Sequence, residues 1–204
     1  MPRQTRDRSA SSERKKHILQ AALTCFDVNG VEATTIADLH RAAQCSVGSL
    51  YHHFGNKEGV AEELFLEGIA QLNRGMLRKL KTCSSGEESV RAVVSFYCDW
   101  SVRHQQMARY LHSRDIPFSP DAKARLKEIH RAYIISVFSW FGPFVASGEM
   151  LRLPADTYVP LISGPIQEYV RRWLSGQAGN PSKVKGIFAD AAWNAVKGLK
   201  GKGK

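Results

Sequence analysis

The chain has 204 residues, of which 43% are hydrophobic, and a formal net charge of +10. This length suffices for a sizeable core in one domain or in two small ones. No apolar run approaches the roughly 18 to 20 residues needed to cross a bilayer, and the basic amino terminus lacks the apolar core of a signal peptide. We therefore expect a cytoplasmic protein, with no membrane association, whose positive charge attracts an anionic partner.

Four scattered cysteines, Cys25, Cys45, Cys83 and Cys98, form no C-x-x-C pair, and no histidine lies at zinc-finger spacing from them. The sequence therefore predicts no disulfide framework, no metal site and no cofactor. Buried free thiols are the default expectation. A redox-sensing thiol is the alternative, because such a thiol requires exposure and a lowered pKa, which the sequence does not reveal.

The first segment is basic. Its positively charged residues are Arg3, Arg6, Arg8, Arg14, Lys15 and Lys16. We predict an arm that is disordered until it meets phosphates. Ser11 or Ser12 can then cap a first helix, which Asn29 and Gly30 close because glycine accepts a positive φ. The apolar stripe of that helix is Ile18, Leu19, Ala22, Leu23 and Phe26.

Residues 34–57 read as two short helices joined by a tight turn. Thr35 with Asp38 fits a capping box that starts the first, and Ser46 can cap the second. Leu50 and Phe54 lie four residues apart and face inward. The residues left pointing outward are Val47, Ser49, Tyr51, His52 and His53. This arrangement is typical of a helix-turn-helix unit that reads DNA.

The order Thr34-Thr35, then Ser46-x-Gly48-x-Leu50-Tyr51-x-His53-Phe54, then Asn56-Lys57 resembles the tetracycline-repressor (TetR) family of bacterial transcriptional regulators. The resemblance covers about the first third of the chain, and the remainder matches only in helical layout. One departure is visible in the turn, where Gln44 and Cys45 replace the usual Gly and Val. Gln44 must therefore tolerate a left-handed backbone.

The resemblance implies roles for individual side chains. Thr35, Tyr51 and Lys57 match positions that hold phosphates, and Lys57 lies at a helix amino terminus, which favours anions. The positions that match residues facing the groove are Ser46, Val47, Gly48, Ser49, His52 and His53. Among these, Val47, Ser49 and His52 are best placed for base edges. The alternative for His53 is to buttress the helix or to touch phosphate.

The remaining pattern is helical throughout. Asn56 can cap a long helix that runs toward Leu80, and small polar residues from 82 to 86 then interrupt the periodicity. We predict an all-α protein with three parts: an arm and three-helix DNA-binding domain in residues 1–57, a connecting helix in 58–81, and a ligand-binding and dimerisation domain in 82–204.

Within this last part, the periodicity predicts helices from Glu87 and around residues 107–111. Ser119 and Pro120 open a long helix, which Gly142-Pro143 kinks or ends, and Gly148 suits a helix stop. The run 154–175 is bent or split by Pro160 and Gly164-Pro165, and Asn180-Pro181 starts the last helix.

The expected function is a ligand-responsive repressor that binds a palindromic double-stranded operator as a homodimer, since one reading unit makes too few contacts for tight specific binding. By resemblance, residues 164–174 and 182–199 would form a four-helix bundle with the second subunit, and the alanines Ala191, Ala192 and Ala195 permit close approach. Internal packing of these helices is the alternative. The basic tail, with Lys197, Lys200, Lys202 and Lys204, receives no role.

Aromatic residues are abundant in the carboxyl-terminal two thirds and would suit an apolar or aromatic effector. The candidates are Tyr97, Trp100, Tyr110, Phe118, Tyr133, Phe138, Trp140, Phe141 and Trp173. For each one alone, ordinary core packing is the alternative.

Two other classes of protein remain as alternatives. An enzyme, such as a hydrolase, could draw on Ser residues and on His104, His112, His130, Asp99 and Asp115, but no nucleophile elbow, phosphate loop or metal pair supports it. A membrane-surface or partner-helix binder would explain the charge but not the pattern from Tyr51 to Lys57.

Overall fold

The computed structural model describes residues 3–113 and 115–198, with side chains from residue 11 onward. The named elements in these ranges are all helical, apart from a single backbone bridge between Met150 and Lys197. The all-α prediction is confirmed. None of the described helices combines the length and the apolar character that crossing a bilayer requires.

The α-helices in the described ranges are α1 Arg3–Ala33, α2 Ile36–Ala43, α3 Val47–Phe54, α4 Lys57–Leu80, α5 Gly86–Arg103, α6 Gln105–His112, α7 Pro120–Ala146, α8 Tyr158–Ile162, α9 Gly164–Leu174 and α10 Lys185–Val196. Short 3-10 turns, Ala155–Thr157 and Pro181–Lys183, precede α8 and α10.

The chain folds into two compact units. The first contains residues 1–69 and 109–128, and the second contains residues 70–108 and 129–204. In the first unit, Ile18, Ala22 and Phe26 of α1 are buried together with Leu39 of α2 and Leu50 of α3. Because these apolar residues recur at helical spacing, each helix buries one face and leaves the other to solvent.

The second unit is built on one apolar cluster that draws buried residues from α4, α5, α7, α8, α9 and α10. Val94, Ile166 and Val196 are fully buried in it. Beside this cluster, a side chain supplies hydrogen-bond acceptors to the backbone at one helix end. Glu149 accepts hydrogen bonds from the backbone N–H groups of Gly86 (2.7 Å) and Glu87 (3.2 Å), so its carboxylate caps the start of α5.

The predicted start of the first helix is wrong. Ser11 and Ser12 do not cap it, because α1 already runs from Arg3, and the expected disordered arm is helical over residues 3–10. The stretch contains neither proline nor glycine after Pro2, so nothing in it stops the helix from extending toward the amino terminus. At the other end, Gly30 has the predicted positive φ of 77°, but helix resumes beyond it as far as Ala33.

The long helix α7 does not end at Gly142-Pro143. It continues through Pro143 to Ala146, and the stop comes at Gly148, which has a φ of 77° as its position predicts. Proline removes one backbone donor, and so close to the carboxyl end this loss leaves few later turns to disrupt.

The final helix begins later than predicted. Asn180 caps only the 3-10 turn, by accepting a hydrogen bond from Ser182 N at 2.9 Å, and α10 starts at Lys185. Val184, with φ of −118° and ψ of 0°, separates the two. The predicted end of this helix at Leu199, and Lys200, Lys202 and Lys204, lie outside the described residues. The predicted split of residues 154–175 is present, with Ser163 between α8 and α9.

Candidate nucleic-acid interface

The first helix of the reading unit, α2, begins at the predicted capping box. The Thr35 hydroxyl accepts from Asp38 N at 3.2 Å, and the Asp38 carboxylate accepts from Thr35 N at 2.9 Å and from the Thr35 hydroxyl at 2.6 Å. These hydrogen bonds hold the pKa of Asp38 below its ordinary value. Two backbone donors that the first turn would leave unpaired are thereby satisfied.

The turn between α2 and α3 places a residue other than glycine in a left-handed backbone conformation, which costs free energy. Gln44 is left-handed, with φ of 46° and ψ of 41°, and it is the only non-glycine residue with positive φ in the described chain. The N–H of Cys45 donates to His40 O at 3.4 Å, and the His40 Nδ1–H donates to the Cys45 carbonyl. Hydrogen bonds on both sides thus hold Gln44 in this conformation.

The second helix, α3, is capped by Ser46, whose hydroxyl accepts from Ser49 N at 3.1 Å. Leu50 is 1% exposed and anchors the helix, whereas Val47 and Tyr51 are 41% and 52% exposed. A soluble helix normally turns such side chains inward. Here one face of a short, firmly capped helix presents them to solvent.

The two histidines of α3 differ in exposure. His52 is exposed and His53 is half-buried, and their ring centroids lie 5.1 Å apart in an edge-on arrangement. Partial burial is the main cause that lowers the pKa of His53, and electrostatic interactions with His52, Lys15 and Arg14 lower it further. The lowered pKa favours the neutral imidazole, and the ring also lies 5.9 Å from that of Phe54.

The start of α4 is fixed to the end of α3. Asn56 caps α4 by accepting from Gly59 N at 2.7 Å, and Lys57 Nζ donates to Glu32 O at 2.7 Å. A Cβ on Gly59 would lie 2.0 Å from the Phe54 carbonyl oxygen, so only glycine permits this approach. Lys57 is consequently held near the carboxyl end of α3. Sequence reasoning missed the role of Gly59, which follows from contact rather than from pattern.

Gly48 presents the opposite situation. A Cβ at this position would meet nothing closer than the Ser46 hydroxyl at 4.0 Å, and Gly48 has no positive φ. Nothing within the described protein requires glycine here.

An open depression beside the turn adds basic residues from α1. It is lined by Glu13, Arg14, His17, Ala43, Gln44, Cys45, Ser46 and Ser49. Arg14 was predicted as part of the basic arm, but His17 was missed, although it lies one helical turn from Arg14.

Lys15 is engaged in a salt bridge within the first unit. Its Nζ lies 2.7 Å from Glu63 Oε1, and Arg125 donates to both oxygens of the same carboxylate, at 2.9 and 3.2 Å. Partial burial would raise the pKa of Glu63, but the hydrogen bonds from Arg125 and Lys15 outweigh it and lower the pKa. The triad fixes α1, α4 and the start of α7 to one another.

All four cysteines are free thiols. Cys83 and Cys98 are buried, Cys25 and Cys45 are half-buried, and burial raises the pKa of each, to about 11 for Cys98. A raised pKa disfavours the reactive thiolate. Among the residues the structure describes, no three His, Cys, Asp or Glu side chains are grouped so as to hold a metal ion.

The aromatic effector candidates divide between the units. Tyr110 and Phe118 belong to the first, where Tyr110 stacks on Phe26 and donates to Ala61 O at 2.8 Å, and Phe118 packs edge-on against Phe65. The other candidates lie in the second unit. Tyr97 and Phe141 belong to its core, and Tyr133, Trp140 and Trp173 pack against that core. Trp100 is buried, and Phe138 packs edge-on against Tyr158.

The side chains considered for an enzyme are distributed over both units. Asp99 is bound by Lys185 at 2.8 Å and by Ser182 at 3.3 Å, and His104 packs on the Trp100 ring. Asp99, His104 and His130 belong to the second unit, whereas His112 and Asp115 belong to the first.

Comparison with known proteins agrees with this geometry. The family model described as "Bacterial regulatory proteins, tetR family" matches residues 18–64, which include α2, α3 and the start of α4. The HTH-type transcriptional regulator BetI of Vibrio atlanticus is 31% identical over 185 residues, which cover 87% of this chain and 88% of BetI. The HTH-type transcriptional repressor KstR2 of Rhodococcus jostii is 43% identical over 58 residues, or 28% of each chain.

Solved structures share the fold along most of the chain. The transcriptional regulator FadR from Bacillus subtilis, in complex with stearoyl-CoA, has a TM-score of 0.77 and 20% identity over 88% of this chain and 98% of that one. A TetR family regulator from Marinobacter aquaeolei has a TM-score of 0.74 and 20% identity, covering 95% of this chain and 100% of that one. The fold and the site define a helix-turn-helix DNA-binding regulator. The chain belongs to the TetR family of bacterial transcriptional regulators.

Proposed function

We propose that this protein is a cytoplasmic, ligand-responsive repressor that binds a palindromic operator as a homodimer and leaves it when a small apolar or aromatic effector binds. The observation that carries the proposal is the outer face of α3, which exposes Val47 and Tyr51 on a helix capped at its start and anchored by Leu50. With its side chains an α-helix is about 10 to 12 Å in diameter, which fits the major groove of about 12 Å.

Roles follow along this face. Val47, Ser49 and His52 reach base edges, with Val47 suited to a thymine methyl group. Ser46 and His53 border the groove. Gly48, which the protein's own packing does not require, lets the DNA approach the backbone of α3. Thr35, Tyr51 and Lys57 hold phosphates, and Lys57 lies at the start of α4, where the helix dipole favours an anion.

The pairing surface is α9 and α10. On α10, Ile187 is 69% exposed beside exposed Gly186 and Ala191, so an apolar stripe with small neighbours faces outward. Such a stripe permits close approach of the same helix from a second copy. We expect Ile187→Glu to sediment as a monomer where the parent protein sediments as a dimer, with Val28→Glu, an equally exposed substitution, as the control.

Residues 1–57 would then read DNA, 58–81 connect, and 82–204 bind the effector and dimerise. The aromatic residues of the second unit, such as Trp100, Tyr133 and Phe141, are the candidates for effector contact.

The test separates phosphate contacts from base contacts. An operator is first selected from fragmented genomic DNA, and the protein is then titrated with operator and with random DNA at several salt concentrations. Lys57→Ala should weaken both complexes and lower the salt slope by about one. Ser49→Ala or His52→Ala should cost about 1 to 3 kcal/mol on the operator and leave random DNA nearly unaffected.

Lys123→Ala is the matched control, since it removes an equal charge from an exposed position on α7. It should leave the salt slope unchanged. Failure to select any DNA sequence would contradict the proposal. A change in sequence preference on Lys57→Ala, with none on Ser49→Ala and His52→Ala, would contradict the assigned roles.

A further inference from the structure

Two buried polar atoms in the second unit have no hydrogen-bond partner among the described residues: Asn73 Nδ2 on α4 and Ser101 Oγ on α5. Ser101 is completely buried, with 0% exposure. Buried polar groups in native proteins are nearly always paired, because burial without a partner costs stability. Two such atoms on adjacent helices therefore require an explanation.

The two side chains extend the inward faces of their helices. Asn73 precedes the buried residues Met76 and Leu80 by three and seven positions, and Ser101 follows Tyr97 and Val94 by four and seven. At helical spacing these positions share one face. Both side chains thus point toward the cluster that forms the core of the second unit.

They also lie at the same end of the contact between the helices. The five residues 81–85 connect α4 to α5, so the chain reverses, and Gly75 lies so close to Phe96 that a Cβ would meet its ring at 2.6 Å. Asn73 is two residues, about 3 Å of helix rise, from Gly75, and Ser101 is five residues, about 7.5 Å, from Phe96 on the same side. Along the helix axes, the positions of Asn73 and Ser101 therefore differ by about 4.5 Å, a distance that one small molecule can span.

A second serine on the same helix shows that an unpaired hydroxyl is not the rule there. Ser89 is equally buried, yet its hydroxyl donates to Ser85 O at 2.7 Å and accepts from Trp140 Nε1 at 2.9 Å. The difference between Ser89 and Ser101 lies in their surroundings rather than in the residue type.

The surroundings of Ser101 favour a neutral partner. Burial raises the pKa of Tyr97 and raises that of Cys98 to about 11, so both remain protonated. The carboxylate of the neighbouring Asp99 is compensated by Lys185. A charged ligand group would be penalised in such a low-polarity region unless it found a counter-ion.

We propose that Asn73 and Ser101 form the polar end of the effector site and bind a neutral oxygen acceptor, such as the carbonyl of a ketone or ester, on an otherwise apolar molecule. This inference rests on the proposed function, since it names the chemical class of the effector. The Asn73 amide supplies a donor, and the Ser101 hydroxyl supplies a second donor. Tyr97, one helical turn before Ser101 on the same face of α5, belongs to the buried cluster and offers apolar ring surface to the remainder of the ligand.

The experiment compares ligands that differ only in the oxygen. Acetophenone is paired with α-methylstyrene, and 2-undecanone with 2-methyl-1-undecene, so that C=O is replaced by C=CH2. Binding is followed by Trp fluorescence and by the rise in Tm of the full-length protein. We expect at least one ketone to bind about tenfold more tightly than its alkene, the value of about one hydrogen bond.

Ser101→Ala and Asn73→Leu should abolish this preference while leaving alkene affinity unchanged. Both variants should keep or raise the Tm of the ligand-free protein, because each removes a polar group that lacks a partner. Ser89→Ala is the matched control. It should lower the Tm by leaving the Trp140 N–H unpaired, and it should retain the ketone preference.

Three results would overturn the proposal: no ketone preference in the parent protein for either pair, a preference that survives both variants, or a Tm loss in Ser101→Ala as large as in Ser89→Ala. The last result would show that the hydroxyl is paired, for example with an internal water. Operator binding by the ligand-free parent protein is measured in parallel. Its absence would refute the proposed function, whereas ketone selectivity would still be decided independently.

Discussion

In the first unit, the two eight-residue helices α2 and α3 bury only Leu39, Ala43 and Leu50 between them, and each begins at a side-chain cap. In the second unit, a single apolar cluster draws residues from six helices, and α9 and α10 have no side-chain cap at their first residue. Short helices are marginal on their own, so α2 and α3 depend on caps and a few anchors, whereas α9 and α10 depend on packing.

This difference between the units bears on function. The residues that cap and anchor α3 lie on its inner face and at its ends. The exposed side chains of Val47, Tyr51 and His52 are therefore available for contact with a partner. In the second unit most apolar side chains pack in the core. The side chains of Asn73 and Ser101 differ from them, because each has a polar atom without a hydrogen-bond partner among the described residues.

The largest expected loss of stability is in the second unit. Ile166→Ala removes a fully buried side chain of α9 and should lower the free energy of unfolding by about 2 to 5 kcal/mol. All four tryptophans, Trp100, Trp140, Trp173 and Trp193, lie in the second unit, so urea unfolding followed by Trp fluorescence reports on it directly. Ile135→Ala, at a position 56% exposed, is the control and should change stability by no more than about 0.5 kcal/mol. Equal losses would contradict the packing argument.

A smaller effect is expected at the capped helices. Thr35→Ala deletes the capping box of α2 and should cost about 1 kcal/mol, measured by amide hydrogen exchange of residues 36–54. Thr35→Ser keeps the hydroxyl and should retain most of the stability. An unchanged exchange rate in Thr35→Ala would show that caps do not hold this region.

Acid provides an independent check on the same cap. Because the folded pKa of Asp38 lies below its ordinary value of 3.8, its contribution is present above pH 3.8 and is lost as the pH falls through the lower, folded value. Asp38→Asn should flatten this part of the pH dependence. Protection factors of α2 amides in the parent protein, corrected for the intrinsic pH dependence of exchange, that stay constant in this range would contradict the assignment.

The smallest effect has the opposite sign. Gln44→Gly relieves a left-handed residue and should raise stability by about 0.5 to 1 kcal/mol, seen as an increase in Tm of about 1 to 4 °C. Gln20→Gly, the same substitution at an exposed position inside α1, should lower stability by about as much. Destabilisation by both would indicate that the Gln44 side chain makes a contact worth more than the strain.

Caps and turns could be predicted from the sequence because they depend on residues three or four positions apart. Thr35 with Asp38, Ser46, Asn56, Ser119 and the left-handed Gln44 are of this kind. Three helix boundaries could not be predicted: the start of α1, the passage of α7 through Pro143 and the late start of α10. At each one, a residue that favours a helix start or stop competes with the stability of the rest of the helix.

The site divides in the same way. The outward face of α3 follows from helical spacing. The salt bridges of Glu63 with Lys15 and Arg125 join residues that are distant in sequence. The clash between Gly59 and the Phe54 carbonyl, and the unpaired atoms of Asn73 and Ser101, depend on atomic placement that helical spacing does not reveal. The aromatic residues show the limit most clearly: Tyr110 and Trp100 are equally aromatic, but the contact of Tyr110 with Phe26 places it in the core of the first unit.

The first unit is formed by two separate segments of the chain, and this limits its transfer to another protein. Residues 109–128 belong to it, and they supply Tyr110 against Phe26, Phe118 against Phe65, and Arg125 to Glu63. A fragment that stops at residue 81 would uncover the rings of Phe26 and Phe65 and remove one partner of the Glu63 carboxylate. Chimeric regulators made by grafting the reading head onto another sensor would therefore need to carry residues 109–128 along with it, or replace them with a sequence that covers the same surface.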